Sequence, residues 1–117
     1  MSKKSPPMSP LQIKTVARMF KVLGDPTRLA ILKMLFDQPL TVTEMVEALE
    51  AKQANISKHL GMLHDAGLVS RERNGNQVIY AICEPMVFDL CQLVCCKLQK
   101  DAVQQARDMG IKASALR

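Results

Sequence analysis

Residues 41–67 read TVTEMVEALEAKQANISKHLGMLHDAG, and this stretch decides the fold. Thr41, followed three residues later by Glu44, has the sequence pattern of a capping box and predicts the start of a short helix. Apolar residues then recur at helical spacing on both sides of residues 50–52: Met45, Val46 and Leu49, then Ile56, Leu60 and Leu63. Gly67 ends the second helix. A short helix, a tight turn and a second helix with a polar outer face are typical of a helix-turn-helix motif.

Two further helices are predicted before this motif. The first runs from residue 11 to Gly24, and one of its faces is apolar: Val16, Phe20 and Leu23. Asp25 and Pro26 then form an N-cap followed by proline at the first helical position, which starts a second helix. That helix ends before Pro39, and its predicted inward residues are Ile31, Leu32, Leu35 and Phe36.

A hairpin and a long helix are predicted after the motif. Residues 68–73 and 77–82 are strand-like, and the Asn-Gly within residues 74–76 is a strong hairpin signal, so we expect a β wing. Pro85 opens a last helix with an apolar stripe: Val87, Leu90, Cys91, Val94 and Leu98. The expected fold class is therefore mainly α with a small β-hairpin.

The length of 117 residues and a hydrophobic content of 48% predict one folded domain rather than a disordered chain. We expect a flexible N-terminal arm at 1–10, the domain at 11–107 and a C-terminal tail at 108–117. The formal charge of +5 makes nucleic acid or another anionic surface a plausible partner.

The sequence also argues against several function classes. The first residues lack the apolar core of a signal peptide, and no run approaches the roughly 18 apolar residues of a membrane span. Four cysteines suit a reducing compartment. We therefore expect a cytoplasmic protein with no membrane partner. A Gly-rich phosphate loop and a nucleophile elbow are both lacking. His59 and His64 lie about 140° apart on a helix, too far for the usual metal-binding pair, so we predict no enzyme.

Three segments carry a resemblance to a known family: LGDPTRLAIL at 23–32, QANISKHL at 53–60 and LHDAGLV at 63–69. Together they resemble the ArsR/SmtB winged-helix repressors of bacteria, which sense metals, metalloids or thiol chemistry, and the resemblance covers roughly residues 11–102. It implies a winged helix-turn-helix, a homodimer formed through the first and last helices, and an operator that is an imperfect inverted repeat in double-stranded DNA.

Candidate DNA contacts lie on the second helix of the motif and on the wing. Amide and hydroxyl side chains are able to reach base edges in the major groove, whereas cationic side chains suit phosphates or the minor groove. Each position alone could be no more than a solvated polar residue. As a set, the expected contacts are Gln53, Asn55, Ser57, Lys58, His59, Arg71, Arg73 and Asn76. His64 is expected to be structural.

The positions at which relatives in this family bind metals carry other residues here. The cysteine pair that some members have near the third helix corresponds to Thr41 and Thr43, which are not soft-metal ligands. The zinc-sensing set on the last helix corresponds to residues that lack imidazoles: Glu84, Met86, Lys97 and Lys100. The resemblance therefore implies neither of these two sites.

Sulfur remains as the candidate sensing chemistry. On a helix, Cys91 and Cys95 lie one turn apart and differ by only about 40° around the helix axis, so their sulfurs are able to approach each other. Cys96 lies about 100° further round the axis. It would share a ligand with them only if the helix frayed or if it came from a partner subunit. Cys95-Cys96 is similar to the adjacent cysteines of some arsenic-responsive relatives. With no obligatory cofactor, we expect Cys91, Cys95 and Cys96 to bind an inducer, either As(III)/Sb(III) or a soft divalent ion such as Cd(II) or Pb(II).

Two alternatives stay open. The same cysteines would respond to oxidation or persulfide formation if they are exposed thiolates. They could instead be packing residues in a DNA-binding regulator without an inducer, and for Cys83 packing is the expected role.

Overall fold

The computed structural model describes residues 7–110, which form five helices and three strands. In chain order these are α1 Pro10–Leu23, α2 Pro26–Asp37, β1 Leu40–Thr41, α3 Val42–Leu49, α4 Gln53–Asp65, β2 Val69–Asn74, β3 Gln77–Ile82 and α5 Met86–Asp108. The expected class, mainly α with a small β wing, is confirmed. Residues 1–6 of the predicted arm and 111–117 of the predicted tail lie outside the described residues.

The helix starts that the sequence predicted have the expected caps. The backbone N–H of Arg28 donates to Asp25 Oδ2 at 3.1 Å and so caps α2. At α3, the Glu44 N–H donates to Thr41 Oγ1 at 3.2 Å, and the Thr41 N–H donates to Glu44 Oε1 at 2.9 Å. This reciprocal pair is a complete capping box, because two backbone donors at the helix end are satisfied.

The turn between α3 and α4 is built around a non-glycine residue in the left-handed region. Glu50, with φ of 50°, ends α3, and its N–H donates to carbonyls of the last turn. Helix α4 then begins at Gln53, after only two more residues. This sharp reversal completes the helix-turn-helix that the sequence predicted.

The core lies among α2, α3, α4 and the sheet. Its fully buried side chains are Ile31, Leu32, Met45, Ile56, Leu60, Leu63, Leu68 and Val69. The inward face predicted for α4 is therefore confirmed. The apolar face predicted for α1 is mostly exposed, since Leu23 is buried but Phe20 is 59% exposed.

The sheet has three antiparallel strands in the order β1-β3-β2. Strands β2 and β3 pair from Val69 opposite Ile82 to Asn74 opposite Gln77, and Gly75 adopts a φ of 66° in the loop that joins them. The sequence did not predict β1, whose Leu40 lies opposite Tyr80. Because β1 directly precedes α3 and pairs with β3, it connects the start of α3 to the wing by strand pairing.

The chain divides into two compact units, one ending at Glu84 and one beginning at Pro85 with α5. Along the predicted stripe of α5, Val87 is buried, Leu90 and Cys91 are half-buried, and the last two residues, Val94 and Leu98, are exposed. Within the described part of the chain, no helix is both long enough and apolar enough to cross a membrane.

Candidate nucleic-acid interface and thiol cluster

The outer face of α4 presents four of the five predicted contact residues of this helix to solvent. Its inner face buries residues at the spacing of successive helical turns, so the positions between them point outward. The exposed residues are Gln53, Asn55, Ser57 and Lys58. Two amides, a hydroxyl and an ammonium therefore lie together on one rigid helix.

The expectation that His59 contacts DNA is corrected by its position. Its side chain faces inward and the residue is only 9% exposed. Its Nδ1 lies 3.0 Å from Arg28 Nη1, so one ring nitrogen is already engaged inside the protein. His59 therefore does not belong to the surface that α4 exposes. His64 is half-buried, and its Nδ1 has no hydrogen-bond partner among the described residues.

A buried arginine cluster behind α4 was not predicted from the sequence. Arg28 is 8% exposed, and its Nε and Nη2 donate to the Val22 and Lys21 carbonyls at 2.6 and 3.2 Å. Its Nη1 contacts His59 Nδ1 and, at 3.3 Å, Met62 Sδ. One signal could have identified it: Arg28 stands three and four residues before Ile31 and Leu32, on the buried face of α2.

Asp25 stands beside this cluster. The backbone N–H of Arg28 donates to its carboxylate, and this bond is the main reason why the pKa of Asp25 lies below its usual value. The same Oδ2 lies 3.9 Å from His59 Nδ1. A carboxylate and a guanidinium therefore both approach one nitrogen of a buried imidazole.

The wing presents the remaining predicted contacts. Arg71 and Arg73 alternate with Glu72 along β2, so both guanidinium side chains lie on one face of the hairpin. Both are exposed, and with Val78 and Tyr80 they line an open cavity of about 440 Å³. Asn76 is exposed in the turn. The hairpin thus has a cationic face that ends in a polar tip.

The thiols of α5 differ in their surroundings. Cys91 is half-buried, and burial, followed by the nearby Cys95, raises the pKa of its thiol. Cys95 and Cys96 are exposed, and Cys96 lines an open groove of about 500 Å³ with Lys100 and Arg107. Among the described residues, no three His, Cys, Asp or Glu side chains are close enough to hold a metal ion. The predicted three-thiolate site is therefore not preformed within this part of one chain.

Cys83 lies outside α5, and the expectation that it is a packing residue is wrong. It directly follows β3 and is exposed. Its Sγ donates to the Gly67 carbonyl at 3.4 Å. This thiol is a weak local hydrogen-bond donor at the end of the wing.

A helix-turn-helix followed by an antiparallel wing defines a winged helix-turn-helix protein. Comparison with known sequences agrees, since residues 25–71 match the family model of the bacterial regulatory proteins of the arsR family. The probable mercury resistance operon repressor of Streptomyces lividans is 40% identical over 82 residues, which are 70% of this chain and 66% of that repressor. The uncharacterized HTH-type transcriptional regulator Rv0081 of Mycobacterium tuberculosis is 32% identical over 87% of this chain and 93% of its own.

Solved structures give the same result. The crystal structure of M. tuberculosis Rv0081 matches with a TM-score of 0.76 and 31% identity, over 85% of this chain and 99% of that one. The homodimeric winged helix-turn-helix DNA-binding domain of Mb0332 from Mycobacterium bovis, a possible ArsR-family regulator, matches with a TM-score of 0.66 and 30% identity, over 81% and 90% of the two chains. The chain therefore belongs to the ArsR family of bacterial regulatory proteins. The first of these relatives is described as a repressor and the second as a transcriptional regulator.

Proposed function

We propose that this protein is a homodimeric transcriptional repressor that binds double-stranded DNA and leaves it when a thiophilic metal or metalloid binds the α5 cysteines. The observation that carries the DNA-binding part is the exposed polar face of α4, held on a fully buried apolar face and followed by a wing with two exposed arginines. Membership of the ArsR family supports the same activity.

In this proposal α4 enters the major groove. Gln53, Asn55 and Ser57 have donors and acceptors that suit base edges, whereas Lys58 suits a phosphate. The wing arginines and Asn76 reach the backbone or the adjacent minor groove. The positive net charge of +5 favours the approach to DNA from a distance.

The homodimer is proposed to form through α1 and α5. Both helices expose large apolar side chains, which a second copy would cover: Leu11, Ile13, Val16 and Phe20 on α1, and Leu93, Val94 and Leu98 on α5. The M. bovis relative is described as homodimeric. A two-fold dimer would read an inverted repeat whose half-sites lie about one DNA turn apart.

The inducer is proposed to bind thiolates. Cys91 and Cys95 lie one turn apart, and Cys95 is close enough to help raise the pKa of the Cys91 thiol, which suits a soft ion such as As(III), Sb(III), Cd(II) or Pb(II). The third thiolate, from Cys96, would join after a local rearrangement of α5 or from a second subunit. The S. lividans relative is described as a probable mercury resistance operon repressor, which supports a thiophilic inducer.

One observation favours a second candidate function, a redox- or persulfide-responsive repressor. Cys95 and Cys96 are exposed, and no three-ligand group exists among the described residues. Exposed thiols next to a neighbouring thiol are able to form a persulfide, a sulfenic acid or a disulfide without a preformed metal site.

The experiment that separates these functions is fluorescence anisotropy of reduced protein on an upstream inverted repeat. The complex is titrated separately with arsenite, antimonite, Cd(II), Pb(II), Zn(II) and a persulfide donor. Release by a thiophilic ion with zinc inert supports the metal or metalloid sensor, and release by the persulfide alone supports redox control. DNA binding that none of these reagents changes would contradict both sensing functions.

The matched variants assign the response to α5. The Cys95→Ser/Cys96→Ser double variant is expected to occupy the DNA and no longer release it. Cys83→Ser, which changes an exposed thiol outside α5, is expected to respond as the unchanged protein does. Normal release from the double variant would rule out these two thiols as the sensor.

A further inference from the structure

The buried guanidinium of Arg28 connects three helices. It bonds to the two carbonyls at the end of α1, belongs to the first turn of α2, and contacts His59 and Met62 on α4. Arg28 and His59 are 31 residues apart in the sequence, so this contact fixes tertiary structure rather than a local turn. On α4, His59 follows Lys58 directly and lies one turn after Asn55, and both of these residues are exposed.

The contact also defines the state of the imidazole. A guanidinium has only donors, so the His59 Nδ1 at 3.0 Å from Arg28 Nη1 must accept. A ring nitrogen that accepts carries no hydrogen, so this contact requires the His59 tautomer with its proton on Nε2. A protonated ring would place a hydrogen on Nδ1 and leave Arg28 without this acceptor.

We infer that Arg28 is a positioning residue for DNA binding: through neutral His59 it holds α4 in the orientation that fits the major groove, and protonation of His59 releases that hold. The inference rests on the proposed function, because its effect is measured as DNA affinity. It adds a proton-sensitive element that is independent of the cysteines.

The groups around His59 determine the direction of the effect. From the start of α2, the charged groups that face its Nδ1 are Arg28 and, at 3.9 Å, the Asp25 carboxylate; from α1, Arg28 is held by the backbone carbonyls of Lys21 and Val22. On α4 itself the neighbouring group in the cluster is the uncharged Met62 thioether.

Protonation would exchange one partner of Nδ1 for another. The ring would turn from Arg28 towards Asp25, and the same Oδ2 already accepts the N–H that caps α2 at 3.1 Å. At low pH two donors would thus compete for Asp25 Oδ2: the Arg28 N–H that caps α2 and the protonated ring of His59 on α4. Since small shifts of a recognition helix misplace its side chains, DNA affinity should fall as the pH decreases.

The test measures DNA affinity between pH 8 and pH 5.5 at constant ionic strength. The unchanged protein is expected to lose affinity by roughly tenfold over this range, the size of one hydrogen bond to a charged group. His59→Asn supplies a carbonyl oxygen near the Nδ1 position that does not titrate, so its affinity should vary much less. Arg28→Lys, which replaces the planar fork by a single ammonium, should weaken binding at pH 8 and also reduce the pH dependence.

The matched control is His64→Asn, since His64 is a second histidine of α4 that does not contact Arg28. This variant should keep the pH dependence of the unchanged protein. Equal pH dependence in the unchanged protein and in His59→Asn would overturn the inference.

A second measurement does not depend on DNA or on the stability of any variant. Ring ¹⁵N chemical shifts of the unchanged protein at pH 8 should assign His59 as the Nε2–H tautomer, and an Nδ1–H tautomer would overturn the inference. If the protein binds no DNA at any pH or salt concentration, the proposed function fails, while the tautomer still decides whether Arg28 holds α4 through His59.

Discussion

At the scale of single residues, the two thiols that lie one turn apart on α5 are not equivalent. Cys91 is half-buried, whereas Cys95 is exposed. Burial and the neighbouring thiol raise the pKa of Cys91, so a smaller share of it is thiolate at neutral pH. An incoming electrophile or soft ion should therefore meet Cys95 or Cys96 first, and Cys91 should join afterwards.

We predict that Cys91 is alkylated more slowly than Cys95 at pH 7 and that the ratio of the two rates narrows as the pH rises. The sign follows from the raised pKa, because the thiolate is the nucleophile and Cys91 forms it only at higher pH. The measurement is the iodoacetamide rate of variants that each keep one α5 cysteine, with serine at the other two and at Cys83, whose thiol is also exposed. A Cys91 rate equal to that of Cys95 at pH 7 would contradict this order.

At the scale of elements, the helix-turn-helix depends on a small number of local bonds. The capping box at Thr41 starts α3, and Glu50 in the left-handed region ends it. Periodicity and capping patterns predicted where these helices begin and end, because caps act within three residues of a helix start. The same signals did not predict β1, since its partner β3 lies far away in the sequence.

We predict that Thr41→Ala lowers the free energy of unfolding by about 1 kcal/mol, the usual cost of a lost N-cap. The reason is that the Glu44 N–H loses its acceptor and Glu44 Oε1 loses the hydroxyl donor, while the backbone N–H of residue 41 still donates to Glu44 Oε1. Thr43→Ala is the matched control: it changes an exposed threonine in the same helix and should leave stability nearly unchanged. Chemical denaturation measures both variants, and equal stabilities would show that the capping box contributes little.

At the scale of the whole molecule, the proposed complex brings two copies of a cationic surface to one DNA duplex. Each copy offers Lys58, Arg71 and Arg73 as exposed cations on α4 and the wing. Phosphate contacts release counterions, so their number determines how steeply affinity depends on salt. The salt dependence thus reports the size of the electrostatic interface without knowledge of the operator sequence.

We predict that the logarithm of the association constant falls with the logarithm of the salt concentration with a slope of about −5, if a dimer neutralises six phosphates. Lys58→Ala, which removes one cation from each copy, should make the slope shallower by about 2. Anisotropy titrations between about 50 and 200 mM salt, the range over which phosphate contacts lose affinity steeply, measure both slopes. A flat response would count against DNA binding itself, and an unchanged slope in the variant would remove Lys58 from the interface.

The sequence by itself determined the order of the helices, the helix-turn-helix, the hairpin and the candidate polar face of α4. These features follow from periodicity, caps and turn residues, whose physical range is a few residues. Only the tertiary structure decided that His59 faces inward, that Arg28 is buried against it, and that Cys83 is exposed. The hydrogen-bond partner of a polar side chain in a helix depends on which other element packs against that helix. The Arg28–His59 contact joins residues 31 positions apart, beyond the range of local sequence patterns.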